Sequence, residues 1–173
     1  MNSLLCGDLT EKQQLVLIIA IRKTISGSEE PPVAEILDTN ILPMLGSILN
    51  APDNQAAAEE VRLMKLEAIW ILSNLAYGTK EDSLKILCPD FGILTAVDNI
   101  LRTSNLPFLE QVLWFIGNVC GEAKELQEII IANTCIFEVF MSLIQQQRIA
   151  KSLLRTLCWV NSNLGRYKNL NPE

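Results

Sequence analysis

Apolar positions along the chain recur every three or four residues, and no stretch alternates at period two between turn-forming residues. That periodicity predicts helices rather than strands. The clearest case is EAIWILSNLAYG (67–78). At 100° per residue, Ala68, Ile71, Leu72 and Leu75 share an arc of roughly 100°, while Trp70, Asn74, Glu67 and Tyr77 lie on the other side. Two later stretches repeat the arrangement. EQVLWFIGNVCG (110–121) sets Trp114, Asn118, Gln111 and Glu110 against Val112, Phe115, Ile116 and Val119. LRTLCWVNSNLG (154–165) sets Trp159, Asn163, Arg155 and Thr156 against Leu157, Val160 and Leu164, with Asn161 interrupting the apolar arc.

These helices are regularly spaced: Trp70 to Trp114 is 44 residues and Trp114 to Trp159 is 45. Two shorter apolar segments precede each tryptophan helix. They are PPVAEILDTN and ILPMLGSILN before the first, EDSLKILCPD and FGILTAVDNILR before the second, and KELQEIIIAN and TCIFEVFMSLIQQ before the third. Three helices in a unit of about 40–47 residues is the period of armadillo-type repeats. One such unit cannot bury its own apolar faces, so neighbours stack into a solenoid with a shared core. The predicted fold is therefore all-α: a right-handed armadillo-repeat solenoid of about three three-helix repeats, spanning 33–78, 79–122 and 123–166. A partial first repeat and its connector occupy 9–32, with LTEKQQLVLIIAIRKTIS as the helix, and 167–173 forms a tail, all within one domain over 1–173.

Composition narrows the function. The longest apolar run, LVLIIAI (15–21), is far shorter than a membrane span, and no cleavable signal opens the chain, so no membrane partner is expected. With no histidine, and with Cys6, Cys88, Cys120, Cys135 and Cys158 forming no CxxC, neither the common zinc arrangements nor histidine-based catalysis is available. Four of the five cysteines fall inside or beside apolar helical pattern and read as buried, reduced thiols of a reducing compartment. The carboxylate pairs Glu59/Glu60 and Glu81/Asp82 are adjacent, so they point apart and read as solvated. No phosphate-binding glycine loop is present. No enzyme, cofactor or metal site is expected. A net charge of −6 argues against a nucleic-acid partner and suits a basic one.

Three tryptophans in phase with polar neighbours predict one ladder along a shared groove. Packed helices lie about 8–10 Å apart and an extended peptide advances about 3.3 Å per residue, so one rung matches about three peptide residues. An Asn amide both donates and accepts, which suits a peptide backbone. Slots between tryptophan rings suit the aliphatic stems and cationic heads of Lys and Arg, and nearby acidic groups would favour them. Trp70, Asn74, Gln111, Trp114, Asn118, Arg155, Trp159 and Asn163 are the residues this reading places in the groove. The competing reading is a generic armadillo or HEAT-like scaffold for other protein partners.

The three tryptophan motifs, with AIRKTISGSEEPPVAEIL upstream, resemble the armadillo domain of importin-α, which recognises nuclear localisation signals. The resemblance runs from about residue 8 to 173. It implies a nuclear import adaptor moving between cytoplasm and nucleus, with the three Trp/Asn pairs as the major signal site. It also implies a lysine pocket at Gly78, Ser83 and Glu122. There the family carries threonine and aspartate at the last two positions and a small residue at Tyr77. Before residue 60 the cationic doublet is Arg22-Lys23, so the family's basic importin-β-binding segment has no counterpart and importin-β is not an expected partner. The later repeats are likewise without counterpart. The reading therefore expects a truncated form with an uncapped end, of low stability or self-associating. APDNQAAAEEVRLMK (51–65) exceeds the family's usual turn, and its Ala/Glu content predicts an extended helix start.

Overall fold

The computed structural model describes residues 9–52, 58–103, 105–145 and 149–167. Ten α-helices and one short 3₁₀ turn are present among them, and no strand. In order they are α1 (Glu11–Ser26), α2 (Val33–Leu37), α3 (Ile41–Leu49), α4 (Ala58–Leu75), α5 (Lys80–Ile86), the turn Pro89–Phe91, α6 (Ile93–Leu101), α7 (Leu106–Glu122), α8 (Lys124–Asn133), α9 (Ile136–Ile144) and α10 (Lys151–Gly165). The predicted helix start over 51–65 is met from Ala58 onward; 53–57 lie outside the described residues.

Local signals set the helix ends. Thr10 and Gln13 close a capping box on α1, and Thr79 and Asp82 close one on α5. The second explains a departure from expectation: Asp82 is buried rather than solvated, because its carboxylate accepts the Thr79 N–H at 3.0 Å and the Thr79 hydroxyl at 2.8 Å. Glu81 stays exposed.

The helices stack in three ladders. Short helices α2, α5 and α8 form one, and α3, α6 and α9 a second. The long helices α1, α4, α7 and α10 form the third and most extensive. The core lies between the ladders and is continuous along the solenoid, with Leu45, Ile69, Leu72, Leu75, Ile93, Leu113, Phe115, Ile116 and Leu126 fully buried. Neighbouring ladder members approach closely. A Cβ on Gly46 of α3 would lie 2.0 Å from the Phe91 carbonyl oxygen, so the turn ahead of α6 packs directly on α3. Asn50 ties the same junction, its amide donating to the carbonyls of Gly46 and Gly92, and Gly92 holds φ +64°, where glycine is favoured.

The long-helix ladder is cross-linked by the three asparagines. Asn74 Nδ2 donates to Ser26 Oγ at 3.0 Å, Asn118 Nδ2 to the Ser73 carbonyl at 2.8 Å and Asn163 Nδ2 to the Gly117 carbonyl at 2.8 Å. Each bond reaches back one repeat. Carbonyls at helix C-termini lack intrahelical donors, and the solenoid supplies others. Arg166 and Tyr167 donate to the Gly121 carbonyl at the end of α7, and Gln127 Nε2 reaches the carbonyls of Asn163 and Leu164 near the end of α10.

At the α9–α10 side the faces change. Leu109, Leu113 and Ile116 of α7 are buried, but their equivalents Leu154, Cys158 and Asn161 on α10 are exposed. Asn161 therefore interrupts no buried face. Cys158 departs from the expectation of buried thiols for the same reason, since no further helix covers it among the described residues. Cys120 and Cys135 are buried, and burial pushes their thiols up to about 12 and about 11, so both stay protonated at neutral pH.

Two measurements test this packing. Gly46→Ala forces a methyl group onto backbone and is expected to lower the unfolding free energy by about 3 kcal/mol in urea titration. Asn163→Ala leaves buried partners unsatisfied and is expected to cost about 1–3 kcal/mol, whereas Asn74→Ala, whose bond is exposed, costs less than about 0.5 kcal/mol.

Candidate peptide-binding groove

The third ladder presents its polar edge as one groove of about 700 Å³, lined by Trp70, Ser73, Asn74 and Tyr77 of α4 and the residues just after it, Gln111, Trp114 and Asn118 of α7, and Arg155, Thr156 and Trp159 of α10. The repeat spacing accounts for this. Residues 44 or 45 apart occupy equivalent positions on successive stacked helices, so the indoles line up along the solenoid. Trp70 and Trp114 are 41% and 45% exposed, unusual for tryptophan inside a helix, and Trp159 is half-buried.

The depth of Trp159 has a local cause. A Cβ on Gly117 would lie 2.2 Å from Cζ3 of Trp159, so the indole rests on bare backbone of α7. One repeat earlier the equivalent residue is Ser73, and Trp114 rides higher. Sinking onto Gly117 brings Trp159 against Trp114, with ring centroids 4.8 Å apart at a tilt of 43°. The expected slot between these two rings is closed, because each ring's partner is the other. Trp70 has a resident cation as well: the Arg22 guanidinium of α1 lies 4.4 Å from its ring centroid. Arg22 Nε in turn meets Glu67 Oε2 at 2.6 Å, with both side chains largely covered.

Other expected site residues fall elsewhere. Asn163 was expected on the exposed stripe, but it is 3% exposed and absent from the lining. Gly121 leaves room for its amide, which a Cβ there would meet at 3.1 Å, and Arg166 donates to its Oδ1 at 2.9 Å. Gly78, Ser83 and Glu122 also stand outside the lining. Ser83 is fully buried and its Oγ has no hydrogen-bond partner among the described residues. Glu122 is exposed at the end of α7, where its carbonyl accepts from the Tyr167 hydroxyl. Among the described residues the lining carries one charged side chain, Arg155, and Glu67, beside Trp70 on the helix, is paired with Arg22. Sequence reasoning missed Arg22 as a neighbour of Trp70 and Ser73 as part of the lining. The 45-residue offset between Arg22 and Glu67, one repeat, is the signal that pairs them.

No protein-family model matches the chain. It is 30% identical over 155 residues to importin subunit alpha-9 of Arabidopsis thaliana, covering 88% of this chain and 27% of that protein. Importin subunit alpha-1b of Oryza sativa subsp. japonica is 25% identical over 155 residues, covering 90% and 27%. The chain thus spans little more than a quarter of the length of these relatives. Among solved structures, a designed armadillo repeat protein in complex with the peptide (KR)4 superposes with a TM-score of 0.73 at 18% identity, over 92% of this chain and 61% of that one. The chain is an armadillo-repeat solenoid related in sequence to the importin-α subunits.

Proposed function

We propose that the chain acts as a nuclear import adaptor-like protein, binding extended Lys/Arg-rich localisation signals of cargo proteins in the groove, and that it works in both cytoplasm and nucleus. The observation that carries this is the alignment of Trp70, Trp114 and Trp159 along one open groove on successive helices. Trp70 and Trp114, both exposed, offer flat, electron-rich faces to a cation, and one step of the ladder matches about three peptide residues. Asn118 supports the reading: one amide N–H is spent on the Ser73 carbonyl, which orients the group, while its oxygen and second N–H remain for a peptide backbone. The importin-α relatives and the (KR)4 complex of the designed armadillo protein point the same way.

The lysine pocket implied by the family resemblance is a second part of the proposal. Ser83 Oγ is an unpaired buried hydroxyl, and such isolation costs about 1–3 kcal/mol. An ammonium group reaching it would relieve that cost, with neighbouring side chains parting to admit it. The alternative of an armadillo scaffold for partners of other chemistry is favoured by one feature, the absence of a carboxylate from the groove lining.

Fluorescence-anisotropy titration of a labelled Lys-Lys-x-Lys peptide tests the reading. The wild type is expected to bind, and Trp114→Ala to bind about tenfold more weakly, the loss of one Trp–cation contact. Equal affinities, or no binding to the wild type, would remove the adaptor function.

A further inference from the structure

Three features of the groove limit what it can hold, given that an extended peptide lies in it as proposed above. On the α1 side, the face of Trp70 is stacked by Arg22, a cation anchored by Glu67 with side-chain exposures of 17% and 18% for the pair. On the α10 side, Trp114 and Trp159 touch at 4.8 Å. An aliphatic stem between two rings needs contact distances of about 3.5–4.0 Å to each, so nothing fits there. Among the described residues, the interval between Trp70 and Trp114 is the part of the aromatic ladder that neither contact occupies.

The third feature is Arg155. It is exposed, lines the groove one helical turn before Trp159, and makes no ion pair or hydrogen bond among the described residues. Glu110, at the equivalent position one repeat earlier, does not pair with it. A second ligand cation beside Arg155 meets like charge. A carboxylate there gains a planar guanidinium fork with its donors uncommitted.

We propose that the groove selects a mixed-charge strand: one Lys or Arg side chain between Trp70 and Trp114, and an Asp or Glu about three residues away held by Arg155. The spacing follows from one rung of about 8–10 Å against about 3.3 Å per extended residue. Arg155 is then a specificity determinant, separating such segments from uniformly basic ones.

The test uses the full chain and labelled eight-residue peptides. Each carries one Lys, with Asp, Ala or Lys three residues to its N-terminal or C-terminal side. With the wild type, one of the two Asp peptides is expected to bind about fivefold tighter than its Ala counterpart, and the Lys-Lys peptides weaker than Ala. The Asp advantage shrinks as salt is raised. Arg155→Gln abolishes the Asp preference and Arg155→Glu reverses it towards Lys-Lys; both leave the helical circular dichroism unchanged, since the side chain is exposed. If the single-Lys peptides bind but the third residue's charge has no effect, or if Arg155→Gln keeps the Asp preference, the mixed-charge selection is wrong and the groove reading survives. If no Lys peptide binds the wild type, both fall together.

Discussion

Everything the groove presents depends on how each long helix sits on the one before it. The register between α4, α7 and α10 is held from two directions. Apolar faces interlock beneath, through residues such as Leu72, Leu113 and Ile116, and an asparagine above donates to the preceding helix. Hydrophobic packing alone tolerates some sliding along the helix axis. A hydrogen bond to one particular carbonyl does not, because its strength falls steeply with distance and angle. Slippage by one residue would turn each indole by about 100° and dissolve the groove.

The asparagines therefore carry two roles with different weights along the ladder. Asn74 bonds a serine hydroxyl in an exposed setting, Asn118 a backbone carbonyl in a half-buried one, and Asn163 a carbonyl in a buried one. Structural commitment rises toward α10 as availability to a ligand falls. Trp159 follows the same gradient, sinking onto Gly117 until it is half-buried. The groove is thus graded: the interval between indoles is open at its α4–α7 end and closed by ring contact at its α7–α10 end.

The all-helical solenoid and the outward tryptophans were legible because both are periodic. A repeat of 44 to 45 residues survives any uncertainty about single contacts, and the angle between Trp and the apolar arc is a local property of one helix. What was not legible depends on residues the wheel cannot see. Asn163 shares its phase with Asn74 and Asn118, and it is buried because Gly121 makes space for its amide and Arg166 covers it. The closed Trp114–Trp159 slot turns on a glycine where the previous repeat has a serine. Asn161, an anomaly on the wheel, is ordinary once its face is known to be exposed. Ser83 entered through family resemblance, and its orphaned hydroxyl is a property of packing that no spacing rule reports.

Electrostatics gives the groove a direction that stacking alone lacks. At the α4 end the Arg22–Glu67 pair is nearly neutral and mostly shielded from water, so Trp70 is held in place without projecting net charge along the strand path. At the α10 end Arg155 projects a full positive charge into a site walled by indole and amide. Such walls exclude part of the solvent, and a charge beside them is screened less than one on an open surface. The overall charge of −6 draws basic segments towards the molecule from a distance, where individual positions blur together. Within the groove the local field has the opposite sign at one end. On the proposed function, long-range attraction and short-range selection act on different features of a ligand, the first on its net charge and the second on where that charge lies along the chain.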